Sequence, residues 1–134
     1  MSRIIAGIAG GARLQPVRGQ NTRPTTDRVK ESLFSRLEGY DVLDGARVLD
    51  LFAGSGALGL EAASRGAFSV ELVDRDRAAL SACRANLAVL TRAGARAQVS
   101  VHDAAARPWL ERQPEGARWD LIFLDPPYAM GREE

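Results

Sequence analysis

The feature that most constrains the fold is a regular alternation of short apolar runs with helix-like segments after Gly45. The predicted strands are Arg47–Leu51, Ser69–Val73, Ala97–Val101 and Trp119–Leu124. The predicted helices between them are Ala57–Arg65, Arg77–Thr91 and a short helix after Asp103 with Trp109 and Leu110 on its apolar side. Strand–helix alternation at this spacing favours right-handed crossovers and a parallel sheet. We therefore expect an α/β fold whose ligand lies at the carboxyl ends of the strands.

The N-terminal region follows a different pattern. Short apolar runs on either side of Gly10-Gly11 predict a β-hairpin within residues 3–18, and a loop follows from Gly19 to Pro24. A helix is predicted from Thr26 to Glu38, with N-cap oxygens at its start and four apolar residues on one face: Val29, Leu33, Phe34 and Leu37. We divide the chain into a hairpin and loop, residues 1–24, and a ligand-binding domain, residues 25–134.

Length and composition limit the class of protein. With 134 residues, the chain has room for one sizeable core. A single cysteine, Cys83, excludes an internal disulfide, and no apolar run has the length of a membrane-spanning helix. No Cys/His cluster suggests a metal site, and one histidine, His102, makes a Ser-His-Asp triad improbable. We expect a cytoplasmic protein that binds neither metal nor membrane.

The charge is unevenly distributed. Residues 1–30 carry six basic residues and one acidic residue, a net charge of +5, whereas the other 104 residues carry 12 basic and 16 acidic residues, a net charge of −4. A basic arm on a mildly acidic body suits a protein that holds a polyanion at one end, although a merely solubilising arm has the same composition.

A glycine-rich turn follows the first predicted strand. Gly54-Ser55-Gly56-Ala57-Leu58-Gly59 matches the G-x-G-x-x-G dinucleotide fingerprint, and Asp74 lies 20 residues after Gly54 at a strand end, where a carboxylate can bind ribose hydroxyls. Two cofactors therefore compete, a nicotinamide or flavin dinucleotide and S-adenosylmethionine. Asp50 would repel a pyrophosphate but attract the sulfonium and ammonium groups of S-adenosylmethionine, so it favours the latter.

Two further strand ends carry acidic residues. Asp103 ends the third strand, where it accepts either a hydrogen bond from an adenine amino group or one from the start of the next helix. The fourth strand runs into Asp125-Pro126-Pro127-Tyr128. Prolines stiffen this turn and remove N–H donors. The Asp125 carboxylate and the Pro126 carbonyl can then accept both protons of a planar NH2 group, and Tyr128 can stack on a base.

Together these segments resemble the class I S-adenosylmethionine-dependent methyltransferases. The resemblance implies a Rossmann-like sheet of parallel strands in the order 3-2-1-4. Asp50 to Gly56 resembles the first motif, Val73 to Asp76 the second, and Asp125 to Tyr128 the amino-methyltransferase motif with catalytic residues Asp125, Pro126, Pro127 and Tyr128. The cofactor-binding residues that the resemblance implies are Thr25, Asp50, Phe52, Gly54, Ser55, Gly56, Asp74, Arg75, Asp103 and Ala104.

Within that class the chain resembles the bacterial RsmD family, on Arg3 to Gly7, Arg23 to Phe34 and Asp50 to Gly66. The resemblance implies methylation of a guanine N2 amine in 16S ribosomal RNA, with residues 23–27 over the methionine end of the cofactor. It also implies RNA contacts from Arg3, Arg13, Arg18 and Arg23. Because the family normally continues with further strands, we expect a shortened chain whose fourth strand lies at an uncovered sheet edge.

The expected function is therefore methyl transfer from S-adenosylmethionine to a guanine amine, with ribosomal RNA or the small ribosomal subunit as partner and a monomeric full-length protein. Three alternatives remain. The planar amine can belong to adenine or a protein glutamine, the loop can serve a nicotinamide oxidoreductase, or the chain can be a non-catalytic RNA-binding fragment.

Overall fold

A computed structural model describes residues 2–19 and 26–126. In chain order the elements are α1 (Asp27–Gly39), β1 (Arg47–Asp50), α2 (Ala57–Ser64), β2 (Ser69–Asp74), α3 (Arg77–Arg92), β3 (Gln98–Asp103), α4 (Ala106–Glu111) and β4 (Leu121–Phe123). Thr26 caps α1 and Asp76 caps α3, each by accepting a hydrogen bond from a backbone N–H of the first turn. None of the helices in this part of the chain is long and apolar enough to cross a membrane.

The four strands form one parallel sheet in the order β3-β2-β1-β4, which confirms the predicted architecture. The register pairs Asp50 with Leu72 on one side and with Phe123 on the other. Asp74 pairs with Asp103. The acidic residues at the ends of β1, β2 and β3 therefore lie along one edge of the sheet, and the chain leaves β4 two residues before Asp125.

The main core joins the sheet to the helices and to the N-terminal segment. Ile4, Leu14 and Phe34 belong to the same buried cluster as Val48, Leu60 and other sheet and helix residues. A smaller cluster of Leu49, Leu51, Val73 and Trp109 covers the other side, with Phe52, Ala104 and Trp119 packed against it. The hydrophobic contacts of residues 2–14 thus anchor the N-terminal segment to the body of the domain.

The N-terminal hairpin has less strand pairing than the sequence predicts. Its two arms pair antiparallel through a single bridge between Arg3 and Arg13, and Ile4 N donates to Ala12 O at 2.8 Å. The residues between the arms form turns rather than strand, since Ile8 N and Ala9 N donate to Ser64 on α2. Packing against α2 replaces the strand pairing that the sequence predicts.

Two apolar residues predicted to face the core are exposed. Val29 on α1 is 56% exposed and Leu110 on α4 is 37% exposed. On α1 the buried positions are Phe34 and Lys30, and Leu33 and Leu37 are half-buried. Lys30 can be buried because its ammonium pairs with the buried carboxylate of Glu61. The edge strand β4 is also shorter than predicted, and Ile122 and Leu124 are exposed.

Candidate active site at the carboxyl ends of the strands

The glycine-rich turn between β1 and α2 has the backbone conformation that its glycines allow. Gly54 and Gly56 have φ angles of 57° and 83°, in the left-handed region that side chains disfavour. Gly59 allows α2 to approach the sheet, because an added Cβ would lie 2.4 Å from Leu72 Cδ2. Gly56 N donates to Ala53 O at 2.7 Å, which closes the turn. The turn is half-buried at Gly54 and Ser55 and open beside Gly54, whereas Gly56 is buried against Leu60 and Leu72.

Asp74, at the end of β2, holds this turn. Its Oδ2 accepts from Gly54 N and its Oδ1 from Asp76 N, both at 2.9 Å. Gly54 is thereby tied to the second strand end, and the Asp74 carboxylate stays half-buried beside it. A carboxylate fixed in this way retains lone pairs for a ligand hydroxyl.

Asp50 is the most unusual group of the site. It is 1% exposed, and its Oδ2 accepts a hydrogen bond from Gly59 N at 3.1 Å. Its Oδ1 is buried without a hydrogen-bond partner among the described residues. The pKa of Asp50 is raised to about 7, mainly by burial and in addition by the negative charges of Asp125 and Asp74, while the hydrogen bond from Gly59 acts in the opposite direction. Such a carboxylate is stabilised by an approaching cation.

Asp125 lies on the same edge as Asp50. Leu51 N donates to Phe123 O at 3.2 Å, so the segments after β1 and β4 leave the sheet side by side. Asp125 is exposed, and its charge acts on Asp50. Asp125 and Pro126 therefore lie at the same edge of the sheet as Asp50 and Asp74. Pro127 and Tyr128, the rest of the predicted motif, lie outside the described residues.

Asp103 and its neighbours form the third side of the site. Asp103 is exposed at the end of β3, and α4 begins at Ala106 after an N-cap, Ala105, that makes no side-chain hydrogen bond. Asp103 is therefore not the N-cap of α4, so the capping role that the sequence offered is wrong, and the adenine contact stays a prediction. Ala104 N donates to Asp74 O at 3.1 Å, and Phe52 packs on the smaller core cluster.

A groove of about 460 Å³ adjoins Asp103. The residues that line it are Arg75, Arg77, Leu80, Ser81, Arg84 and Asp103. Arg75 was predicted from the sequence as a cofactor contact, whereas Arg77 and Arg84 were not. The spacing of seven residues between Arg77 and Arg84 could have predicted a shared basic surface, because it places both guanidinium groups on one face of α3.

Sequence reasoning also missed the residues that support the turn from α3. Cys83 Sγ donates to Gly54 O at 3.1 Å, and Asn86 Nδ2 donates to Ser55 O at 2.8 Å. Burial raises the pKa of the Cys83 thiol to about 12, helped by the charges of Asp50 and Asp74, so this group stays protonated. The helical period predicts Cys83 as a core residue but cannot reveal its partner in the turn.

The basic residues predicted to contact RNA differ in their surroundings. Arg13 and Arg18 are exposed on the N-terminal segment. Arg3 is exposed as well, but its Nε lies 3.4 Å from Asp27 Oδ2, and its backbone N donates to Asp27 Oδ1. Arg23 and Thr25 lie outside the described residues. The structure therefore brings Asp50, Asp74, Asp103 and Asp125 to one edge, and it leaves Arg13 and Arg18 accessible.

Comparison with known proteins identifies the family. The sequence model of the family described as "Conserved hypothetical protein 95" matches residues 2–134. The chain belongs to this family.

Named relatives agree with the resemblance to the RsmD family. "Putative rRNA methyltransferase YlbH" of Bacillus subtilis is 47% identical over 127 residues, which cover 94% of this chain and 66% of the relative. "Ribosomal RNA small subunit methyltransferase D" of Escherichia coli K12 is 42% identical over 129 residues, covering 96% of this chain and 61% of the relative. The chain thus spans less than two thirds of the length of these relatives, and the predicted family is confirmed.

Solved structures of similar proteins share the fold. "Putative methyltransferase yhhF" from Escherichia coli superposes with a TM-score of 0.77 at 42% identity, over 95% of this chain and 64% of that one. A hypothetical protein of Thermus thermophilus, TTHA0928, gives a TM-score of 0.80 at 36% identity, over 97% and 71%. The four-stranded sheet of this family member is therefore that of the class I methyltransferases.

Proposed function

We propose that the cleft at the carboxyl ends of β1, β2 and β4 binds S-adenosylmethionine and directs its methyl group to an exocyclic amine of ribosomal RNA, the N2 amine of a guanine. The observation that carries the proposal is the buried, unpartnered Oδ1 of Asp50 beside the glycine-rich turn. The names of the relatives support the ribosomal RNA substrate.

The acidic residues fit the proposed cofactor better than a dinucleotide. Asp50 and Asp74 flank the turn, and Asp50 is near enough to both Asp74 and Asp125 for their charges to act on it. Three carboxylates would repel a pyrophosphate, whereas a positively charged ligand relieves their mutual repulsion. Bound there, S-adenosylmethionine supplies a sulfonium-activated methyl group, with Asp50 near its cationic end, Asp74 at its ribose and Asp103 at its adenine.

The amine would be held at Asp125. Its carboxylate and the Pro126 carbonyl accept the two N–H protons, which orients the nitrogen lone pair toward the methyl group. The proton that leaves after transfer is acidic, so Asp125 can take it without being a strong base. Positioning and fixed dipoles then provide most of the rate. A base in a duplex must leave the stack to reach this cleft.

The RNA would be bound beside the cleft by the N-terminal segment. Arg13 and Arg18 are exposed and available to phosphates, and Arg3 would have to leave Asp27 to contribute fully. The division into residues 1–24 for RNA contact and 25–134 for catalysis, monomeric assembly and a cytoplasmic location remain predictions from the sequence.

The proposal is tested by following tritium from labelled S-adenosylmethionine into small ribosomal subunits, 16S ribosomal RNA, DNA or protein. We expect label in ribosomal RNA, and nucleoside digestion should yield N2-methylguanosine. Asp125→Ala should lower transfer by at least about a hundredfold while S-adenosylhomocysteine binding is kept. Asp120→Ala is the matched control, because Asp120 lies at the opposite end of β4, paired with Arg47. Label in DNA or protein alone, or full activity of Asp125→Ala, would refute the proposal.

A further inference from the structure

Asn86 connects two parts of the chain that the sequence separates. It lies on α3, is fully buried, and contacts both the N-terminal segment and the glycine-rich turn. Its Oδ1 accepts from Gln15 N at 2.7 Å, and its Nδ2 donates to Gln15 O at 3.0 Å and to Ser55 O at 2.8 Å. One side-chain amide thus binds both backbone groups of Gln15 and one carbonyl of the turn.

The Asn86 amide restricts the backbone positions of both Gln15 and Ser55. Both Nδ2 hydrogens are used, one toward Gln15 O and one toward Ser55 O. If the carbonyl of Ser55 turns away, a buried N–H loses its acceptor, and rotating the amide to recover it breaks the pair with Gln15. A buried unpaired donor is costly, so the positions of the turn and of Gln15 depend on each other.

We propose that Asn86 is a positioning residue that couples cofactor binding to the docking of the N-terminal segment. A ligand that orders the turn at Ser55 fixes the Asn86 amide, and the amide then holds Gln15. By thermodynamic reciprocity, a docked Gln15 strengthens cofactor binding by the same factor. The inference rests on the proposed cofactor. It bears on the proposed RNA contacts because Arg18 lies three residues after Gln15.

The coupling is distinct from simple support of the fold. The other end of the N-terminal segment is held by Glu61, which accepts from Ile5 N and Ala6 N, so residues 4–6 stay attached when Asn86 is changed. The turn keeps the hydrogen bond that Gly54 N donates to Asp74 and the one that Gly54 O accepts from Cys83. Loss of Asn86 should therefore leave the two parts folded but independent.

The test is hydrogen exchange of the Gln15 amide with and without S-adenosylhomocysteine. In the unmodified chain, saturating S-adenosylhomocysteine should slow this exchange about fivefold or more. In Asn86→Ala the Gln15 amide should exchange fast with or without the ligand, and the dissociation constant for S-adenosylhomocysteine should rise about fivefold. Unchanged exchange at Gln15 in a saturated chain, or a retained response in Asn86→Ala, would overturn the coupling.

Two further variants separate coupling from damage to the core. Gln15→Pro removes the backbone N–H that donates to Asn86 Oδ1, at an exposed position, and it also fixes φ there and restricts Leu14. It should weaken S-adenosylhomocysteine binding as Asn86→Ala does, and this result does not depend on how well Asn86→Ala folds. Cys83→Ala, one turn earlier on α3, should keep the response of Gln15 to the ligand. Equal binding by Gln15→Pro and the unmodified chain would refute the inference alone. Absence of S-adenosylhomocysteine binding to the unmodified chain would refute the proposed function as well.

Discussion

Two buried carboxylates in this domain have opposite surroundings. Glu61 on α2 is fully buried and receives hydrogen bonds or ion pairs from Lys30, Arg65 and the backbone of Ile5 and Ala6. Asp50 is almost equally buried, yet within the described part of the chain it receives one hydrogen bond, from Gly59, and the negative charges of Asp125 and Asp74 act on it.

The difference distinguishes a structural charge from a functional one. Every partner of Glu61 lies within the protein, where it joins the N-terminal segment to α1 and α2. Burial lowers the pKa of Lys30, but Glu61 opposes this and favours the charged pair. Asp50 lacks such a partner, and a buried carboxylate without one is expected where a ligand completes the site.

The largest effect should follow from removing Glu61. Glu61→Ala leaves Lys30 and Arg65 without their shared anion, so we expect the free energy of unfolding to fall by about 5 kcal/mol, measured by urea denaturation. Glu38→Ala is the control, because Glu38 pairs with the same Arg65 from an exposed position. If Glu61→Ala and Glu38→Ala are equally stable, the buried network does not anchor the N-terminal segment.

Asp50→Asn should have the opposite effect on stability. Because the pKa of Asp50 is raised by folding, the ligand-free protein loses stability as the pH rises from about 4 to about 7, whereas the variant lacks this loss. The stability of Asp50→Asn relative to the unmodified chain should therefore increase by about 4 kcal/mol over that range. Thermal or urea unfolding at several pH values measures it. If the difference in the free energy of unfolding between the two proteins does not change with pH, Asp50 ionises normally.

Cofactor affinity should follow the same ionisation of Asp50. A cationic ligand binds the ionised form of Asp50, so affinity for S-adenosylmethionine should fall by up to about tenfold per pH unit below pH 7 and level off above it. Calorimetry in buffers of different ionisation enthalpy would detect the released proton. Asp50→Asn should bind S-adenosylmethionine weakly at every pH. If this variant keeps the pH dependence of binding, that dependence belongs to a group other than Asp50.

Exposed charges should give the smallest effect. Arg13 and Arg18 lie at the surface, so replacing both by Ala should leave stability unchanged and reduce the slope of log binding constant against log salt for ribosomal RNA by about 2. Arg36→Ala with Arg92→Ala removes the same charge from the last turns of α1 and α3. A similar change of slope in both pairs would mean that net charge, rather than the N-terminal segment, governs RNA binding.

Local sequence patterns predicted the fold well where the interacting residues are near in sequence or are brought together by the parallel sheet. The meeting of Asp50 and Asp125 at one edge follows from parallel strands alone, whereas the strand order was implied by the resemblance to the class I methyltransferases. Lys30 and Val29 show where prediction from local sequence patterns fails. Helical periodicity assigns the apolar Val29 to the core, but Lys30 is buried there because Glu61, 31 residues away, neutralises it. Asn86 was missed for the same reason, since its partners Gln15 and Ser55 are brought to it only by tertiary packing.

The most direct test of the account is a calorimetric titration of the chain with S-adenosylhomocysteine and, separately, with NAD. If the acidic residues at the strand ends bind a positively charged methyl donor, the chain should bind one S-adenosylhomocysteine through its ammonium, ribose and adenine, and show no binding of NAD. Binding of NAD with no binding of S-adenosylhomocysteine would contradict the central claim.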